Sequence, residues 1–293
     1  MDLEVVIPSR SSAARLRATL ACLAAERELP FGVVVVDDHD DPGEIGAVLE
    51  EAERRLRLRV VRGTRQGRAA ARNAGAEHST AVRLVFLDDD VLVGSGFLRV
   101  HARAAAADRF VHGRMRELPA AERLLAEIDG AGYRDVQRAR AGFEDPAAPR
   151  DPRRRLLANA LEQTVEAMAE GSLPDVAPWL GFIGGNTAVD RAALLRAGGF
   201  DPGFGVDWGC EDLELGLRLH RLGVHRGFEP AALGIHLSHA RPNRWVQHGR
   251  TLARFAHLHP LPSVHALAEL LGPDGRPRDY VHAARSESVG AVR

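Results

Sequence analysis

The segment Val82-Arg83-Leu84-Val85-Phe86-Leu87-Asp88-Asp89-Asp90-Val91 sets three carboxylates at the end of a short apolar, partly β-branched run. Such a run reads as a buried strand. Adjacent like charges repel one another and resist a dry, packed setting. A hard divalent cation such as Mg²⁺ or Mn²⁺ would relieve that repulsion, and so would a solvated acidic turn. A second acidic pair, Glu211-Asp212, follows Trp208-Gly209-Cys210 and opens a helix with Leu213, Leu215, Leu217, Leu219 and Leu222 on its buried side. Acids in a first turn suit the helix macrodipole, so a purely structural role costs nothing. The chemical alternative is a general base that takes a proton from a hydroxyl. Gly184-Gly185-Asn186 is the third feature, because glycines let a backbone approach a ligand closely.

These groups need elements to hold them. Leu3 to Ile7 reads as a strand stopped by Pro8; Ala13, Leu16, Leu20 and Leu23 recur at helical spacing, with Ser11 or Ser12 as the cap. Val33 to Val36 suits a strand covered on both faces and ends at Asp37 and Asp38. A helix through Ile45, Val48, Leu49 and Ala52 follows, then a strand at Leu58, Val60 and Val61, a helix from Gly67 to Glu77, and the strand Val82 to Leu87. This alternation predicts an α/β fold with a Rossmann-like, mostly parallel sheet and helices on both faces. Ligands of such sheets bind beyond the carboxyl ends of the strands. Pro8, Asp38 and Asp88–Asp90 share that edge, where a nucleotide is expected.

Composition bounds the alternatives. The 293 residues, 45% of them hydrophobic, suffice for a large core, and a net charge of -1 gives no field for nucleic acid or an anionic membrane. All basic residues are arginine. Cys22 and Cys210 alone build neither a thiolate zinc site nor a disulfide framework, and fit a reducing cytoplasm. The start reads as no signal peptide, and no run approaches the roughly 20 apolar residues of a membrane span.

VVIPSR, VVVVDDHDD, GRAAARNAGA, VFLDDDV, GFIGGNTAVDRAALLRAGGFD and WGCEDLELGLRLHRLG resemble, in order and spacing, a family 2 glycosyltransferase with the nucleotide-diphospho-sugar transferase (GT-A) fold. The resemblance implies metal-dependent transfer of a hexosyl-type sugar from a nucleotide donor, UDP-sugar before GDP- or dTDP-sugar, to a sugar, metabolite or peptide hydroxyl. It implies that Pro8, Ser9 and Arg10 lie against the nucleoside and that Asp38 holds the base. Arg68 and Arg72 match phosphate partners or structural links. Asp88 and Asp90 match the two acids of the Asp-x-Asp signature, with Asp90 the metal ligand and Asp88 or Asp89 reaching the ribose; Asp88 is also placed at the metal. Gly185 and Asn186 are expected to face the donor sugar, and Trp208 the acceptor. Asp212 becomes the base of an inverting transfer and Glu211 the acceptor's holder. His236, with His239 as substitute, becomes a further metal ligand, imidazole suiting Mn²⁺ better than Mg²⁺. Arg241 is placed to neutralise the diphosphate.

Other features read as structural: Asp190 as a helix N-cap before Gly198-Gly199, and Glu214–Arg218 as a surface ion pair. The chain departs from the family pattern over about 116–175. Leu118, Leu124, Leu125 and Ile128 indicate one helix there, and Leu156, Leu157, Leu161, Val165 and Met168 another. With its Arg153-Arg154-Arg155 cluster, the excursion is expected either to pack on the sheet or to form part of the acceptor site. The expected organisation is a glycosyltransferase domain at 1–240, with a nucleotide-binding half at 1–112 and an acceptor half at 113–240. A helical extension at 241–293 follows, with a fraying end. Two rivals are a sugar-1-phosphate nucleotidyltransferase, which needs a glycine-rich loop that Pro8-Ser9-Arg10-Ser11-Ser12 lacks, and a non-catalytic sugar-nucleotide-binding protein.

Overall fold

A computed structural model of the chain describes residues 2–41, 43–145 and 151–290. The first half alternates β1 (Leu3–Ser9), α1 (Ala13–Leu23), β2 (Gly32–Asp37), α2 (Gly46–Glu53), β3 (Leu58–Arg62), α3 (Arg68–Glu77) and β4 (Arg83–Leu87). Then come β5 (Val91–Val93), α4 (Phe97–Ala104), β6 (Arg109–Leu118), α5 (Ala121–Glu127), α6 (Tyr133–Ala141) and α7 (Ala160–Ala169). The last part holds β7 (Asn186–Asp190), α8 (Arg191–Arg196), α9 (Glu211–Arg221), β8 (His225–Leu237), α10 (Arg244–Leu258), α11 (Pro262–His265) and α12 (Pro277–Gly290).

The strands form one sheet in the order β3-β2-β1-β4-β7-β6-β8-β5. β3, β2, β1 and β4 run parallel, β7 opposes β4 and β6, β8 runs parallel to β6, and β5 opposes β8. Every residue of β2 is buried, as its valine run requires, whereas the edge strand β3 leaves Val60 exposed. Chain order reverses at β1, which has β2 on one side and β4 on the other. A crevice therefore opens beyond Ser9, Asp37 and Leu87. Antiparallel β7 starts beside the end of β4, Asn186 opposite Leu87, so the Gly184-Gly185 turn reaches the same edge. Among the described residues, no helix is long and apolar enough to cross a membrane.

Several elements differ from expectation. Pro8 does not stop β1, which continues to Ser9 opposite Asp37. The ladder to β4 ends at Val6, so beyond that point a missing N–H on that side breaks no pair. Ser12 is the N-cap of α1 by position only, without a side-chain bond. Leu118 ends a strand rather than starting a helix, and Leu157 bridges Glu117 in extended form before Asn159 caps α7 through the Glu162 N–H. Helix α6 has no forecast counterpart. Its few apolar residues, Tyr133 and Val136, join Leu16, Leu20 and Ile128 in one cluster. Leu222 lies exposed at the end of α9. The pair Glu214–Arg218 is not a surface contact, because Glu214 is buried and also binds His259, while Arg218 caps the carbonyls of Ala197 and Gly199. Asp190 caps α8 as expected, accepting from Ala192 and Ala193 N–H groups, and Gly198 and Gly199 follow at φ 83° and 71°.

The extension is a packed layer. Phe255, Leu267, Leu270, Tyr280 and Val281 share a cluster with Val165, Trp179, Leu213 and Leu217. Tyr280 is wholly buried and donates to the Ser263 carbonyl at 3.1 Å. Tyr280→Ala should lower the unfolding free energy by about 3–5 kcal/mol in urea titration. An unchanged midpoint would mean that α12 contributes nothing to the core.

Candidate active site

The three aspartates after β4 part company. Asp89 is buried, and its Oδ2 accepts from Ser9 Oγ at 2.9 Å, Arg10 N at 2.9 Å and Ser11 N at 2.8 Å. It fixes the β1–α1 loop. Burial and the Asp90 charge raise its carboxyl, and the loop donors oppose that rise. Asp88 is one-third exposed and receives Arg72 Nη2 at 2.8 Å. Asp90, on the floor, meets His236 Nε2 at 3.2 Å and His239 Nε2 at 3.3 Å. Successive side chains at a strand end point to different sides, which is why a contiguous triplet separates so completely.

Asp90, His236 and His239 form a candidate cation site, their donor atoms lying within 4.8 Å of one another. Ligands about 2.1 Å from a small divalent ion at right angles stand about 3 Å apart, so the pocket fits such an ion. Both histidines converge, and neither replaces the other. His236 Nδ1 bonds Glu117 Oε2 at 2.6 Å, and Ser238 Oγ donates to the same oxygen at 2.7 Å. Glu117 thereby fixes the ring with Nε2 toward Asp90, as carboxylates behind ligating histidines do. Burial pulls His236 down, but Asp90 and Glu117 outweigh it and push the ring up to about 10. Burial alone would raise Asp90; His236 and His239 instead hold it far below the usual range. The raised His236 ring thus carries positive charge between Asp90 and Glu117.

The second acidic pair meets the first through Arg72. This arginine is 1% exposed, and its Nη1 bonds Glu211 Oε1 at 2.8 Å while Nη2 holds Asp88. Burial works against the guanidinium, but Asp88, Glu211 and Asp212 raise it further. Arg68 Nε stands 3.8 Å from the same Glu211 oxygen. A Cβ on Gly184 would sit 2.6 Å from Arg72 Cζ, and one on Gly185 3.1 Å from Asp88 Oδ2, so both glycines make room for the bridge. The Gly184 N–H donates to Asp212 Oδ2 at 2.9 Å, and Asp212 Oδ1 accepts from the Leu213 N–H at 2.9 Å. Burial and the Glu211 charge push Asp212 up to about 6, against Arg72 and these two N–H groups. That is a carboxyl tuned toward neutrality.

Asn186 is a correction. Its side chain is fully buried, Nδ2 donating to Ala232 O at 2.9 Å and Oδ1 bonded to His101 Nε2 at 2.8 Å, so it ties β7 to β8 and α4 instead of facing a sugar. The crevice has two chambers. One is lined by Pro8, Ser9, Arg10, Asp38, Asp88, Asp89 and Asp90, the other by Glu117, Gly185, Trp208, Glu211, Asp212 and His236. They share Arg68, Asp88, His239 and Arg241. Asp38 Oδ1 accepts from Arg65 N at 2.6 Å. Two of the basic triplet do not line the second chamber: Arg154 bonds Ala139 O and Glu127 and packs on Phe143, and Arg155 is exposed on the surface; the Arg153 side chain lies outside the described residues. Of the excursion, Glu117 and the start of α7 line that chamber, joined by Leu270, Leu271 and Gly272 from the extension. Sequence reasoning missed these. Glu117 sits in the divergent stretch, and only the β6–β8 register, Glu117 opposite His236, brings it in.

A family model described as "Glycosyl transferase family 2" matches residues 4–138, and one described as "N-terminal domain of galactosyltransferase" matches 176–241. Validoxylamine A glucosyltransferase of Streptomyces hygroscopicus subsp. limoneus is 31% identical over 262 residues, covering 82% of this chain and 52% of its own. Over residues 4–138 the chain matches the family 2 glycosyl transferases. Chondroitin synthase of Escherichia coli is 26% identical over 244 residues, 80% of this chain and 34% of that one. The chain spans about half the length of the validoxylamine relatives. Two solved structures share the GT-A fold. A mannosyltransferase from Pyrobaculum calidifontis with GDP-Man and Mn²⁺ has TM-score 0.59 and 19% identity, with 99% of this chain and 76% of that one covered. GalNAc-T7 with UDP, GalNAc and Mn²⁺ has 0.60 and 16%, with 98% and 54% covered.

The Arg72 bridge is open to a direct test. Arg72→Met would leave Asp88 and Glu211 without their counter-charge. The expected loss is about 3–5 kcal/mol of unfolding free energy in urea, since removing one partner strands a buried charge. Wild-type stability in that variant would show that the bridge is not structural.

Proposed function

We propose that the protein transfers a sugar from a nucleotide-sugar donor to an acceptor hydroxyl with inversion at the anomeric carbon. The observation that carries this reading is that Asp212, raised to about 6, lines the same chamber as His236 and His239 of the Asp90–His236–His239 cluster. In this reading the first chamber takes the nucleoside, with Asp38 toward the base and Ser9 and Arg10 along one wall. UDP-sugar is the first donor to test; the structural neighbours hold GDP-Man in one case and UDP in the other. Residues 1–112 serve as the nucleotide half, 113–240 as the acceptor half, and 241–293 supply part of the acceptor wall. Cys22 and Cys210, both buried and free, support a reducing, cytoplasmic setting.

Asp90, His236 and His239 would hold a divalent ion, Mn²⁺ by their nitrogen content, and that ion offsets charge on the donor diphosphate. Arg68 and Arg241 line both chambers, so their charges face the same diphosphate. Asp212 takes the proton of the acceptor hydroxyl as that oxygen attacks the anomeric carbon. The bond from that carbon to the phosphate oxygen breaks on the opposite face, and the nucleoside diphosphate carries away the electron pair. The N–H groups of Gly184 and Leu213 hold the Asp212 carboxylate while it waits. Glu211 acts through Arg72 to fix Asp88, and its unpartnered Oε2 leaves one lone pair beside the acceptor chamber.

Asp212→Asn keeps the shape and removes the base, so kcat should fall by about 10²–10⁴ with little change in donor affinity. An enzyme within a few-fold of wild type would move the role elsewhere. The carboxylate form is the active one, so kcat should drop as pH falls through about 6 and level off above it. A rate with no acidic limb between pH 5 and 7 argues against Asp212, using roughly one unit either side of its midpoint. Asp90→Ala should abolish the gain in UDP affinity that Mn²⁺ gives the wild type in calorimetry. Equal UDP affinity with and without Mn²⁺ in the wild type would overturn the metal assignment.

A further inference from the structure

Arg244 opens α10 and lines the second chamber but not the first. Its Cζ lies 4.4 Å from the centroid of the Trp208 ring and 5.0 Å from that of Trp245. The two indoles are anchored in turn. Trp208 N donates to Gln247 Oε1 at 3.2 Å, Thr251 Oγ1 donates to Trp208 O at 3.2 Å, and His248 packs against both rings at 5.4 and 6.2 Å. Rings on both indole platforms hold a planar guanidinium in place while leaving its N–H edge open.

That edge meets no carboxylate among the described residues. Asp207, the nearest acid in sequence to Trp208, makes two bonds of 2.7 Å to Arg250 instead. Asp88 and Glu211 are held by Arg72, and Glu117 by His236. Arg241 stands close by, 5.9 Å from the same Trp208 ring, and bonds His239 at 3.1 Å, so two guanidinium groups gather at this mouth. The donor diphosphate accounts for Arg68 and Arg241, which reach both chambers. It does not account for Arg244.

We infer that Arg244, clamped by Trp208 and Trp245, is the recognition site for an anionic group on the acceptor, a sugar carboxylate or a sugar phosphate. A forked guanidinium binds either group through two parallel hydrogen bonds, while the indole faces cover the apolar side of a sugar ring. The inference rests on the assignment of the second chamber to the acceptor and adds the acceptor's chemical class.

The test uses the full chain with saturating UDP and Mn²⁺, titrated with methyl β-glucuronide, glucose 6-phosphate and methyl β-glucoside. Two of the three tryptophans flank Arg244, so quenching of tryptophan fluorescence reads binding without turnover. Wild type should bind at least one of the anionic sugars about tenfold more tightly than the neutral one, and the tighter of the two identifies the anionic group. Arg244→Gln should erase the preference with UDP affinity unchanged, and Arg244→Lys, charged but without the fork, should recover only part of it. Equal binding of all three sugars by wild type, or an undiminished preference in Arg244→Gln, overturns the inference. Loss of UDP affinity in Arg244→Gln also overturns it and assigns the residue to the donor. Failure of wild type to bind UDP would instead strike the donor reading, while the sugar preference, measured separately without nucleotide, still judges Arg244.

Discussion

A guanidinium enclosed by protein needs acids around it, and Arg72 decides where those acids must be. Its two terminal nitrogens hold Asp88, at the end of β4, and Glu211, at the start of α9. One buried charge therefore fixes the distance between the nucleotide side of the crevice and the helix that carries Asp212. Water cannot replace either partner at 1% exposure, so any shift of β4 against α9 strands a charge. The demand spreads outward. Gly184 and Gly185 must lack side chains, and the neighbouring Asn73 exchanges two 2.8 Å bonds with the backbone of Phe200, whose ring lies beneath the guanidinium.

The acids of the site take different chemical characters from their partners alone. Asp89, facing loop N–H groups, organises the backbone near the nucleoside chamber. Asp90, facing two imidazoles, is kept charged. Asp212 faces a like charge and limited solvent, so it holds a proton more readily than either the Asp90 or an ordinary aspartate. Such divergence within a single crevice gives otherwise identical side chains different charge states and partners.

The C-terminal layer bears on the same chemistry. Its helices bury Phe255 and Tyr280 against the body, and the turn between them brings Leu271 and Gly272 to the acceptor side. Helix α10 carries Trp245 and Arg244 to that rim and tethers Trp208 from the loop before α9. The second chamber thus joins Glu117, the start of α7 and the extension to Gly185 and the Trp208–Leu213 segment.

What the sequence determined by itself was local or periodic. A valine run marked β2 and a short apolar run β4, helical spacing marked α1, α3 and α9, and strand ends located the acids, because burial period and charge placement are written residue by residue. Asp190 before Ala192 and Ala193 announced its cap for the same reason. What it left open depended on contacts between distant segments. Glu117 meets His236 only through the β6–β8 register, and His236 and His239 both reach Asp90 only because β8 ends beside β5. Asn186 looked free to face a ligand, but neighbouring strands consumed its amide. Glu214–Arg218 looked like a surface pair until α10 and the turn after α8 closed over it. A side chain's partners, and hence its exposure and charge state, belong to the packed elements around it, and spacing along one segment does not record them.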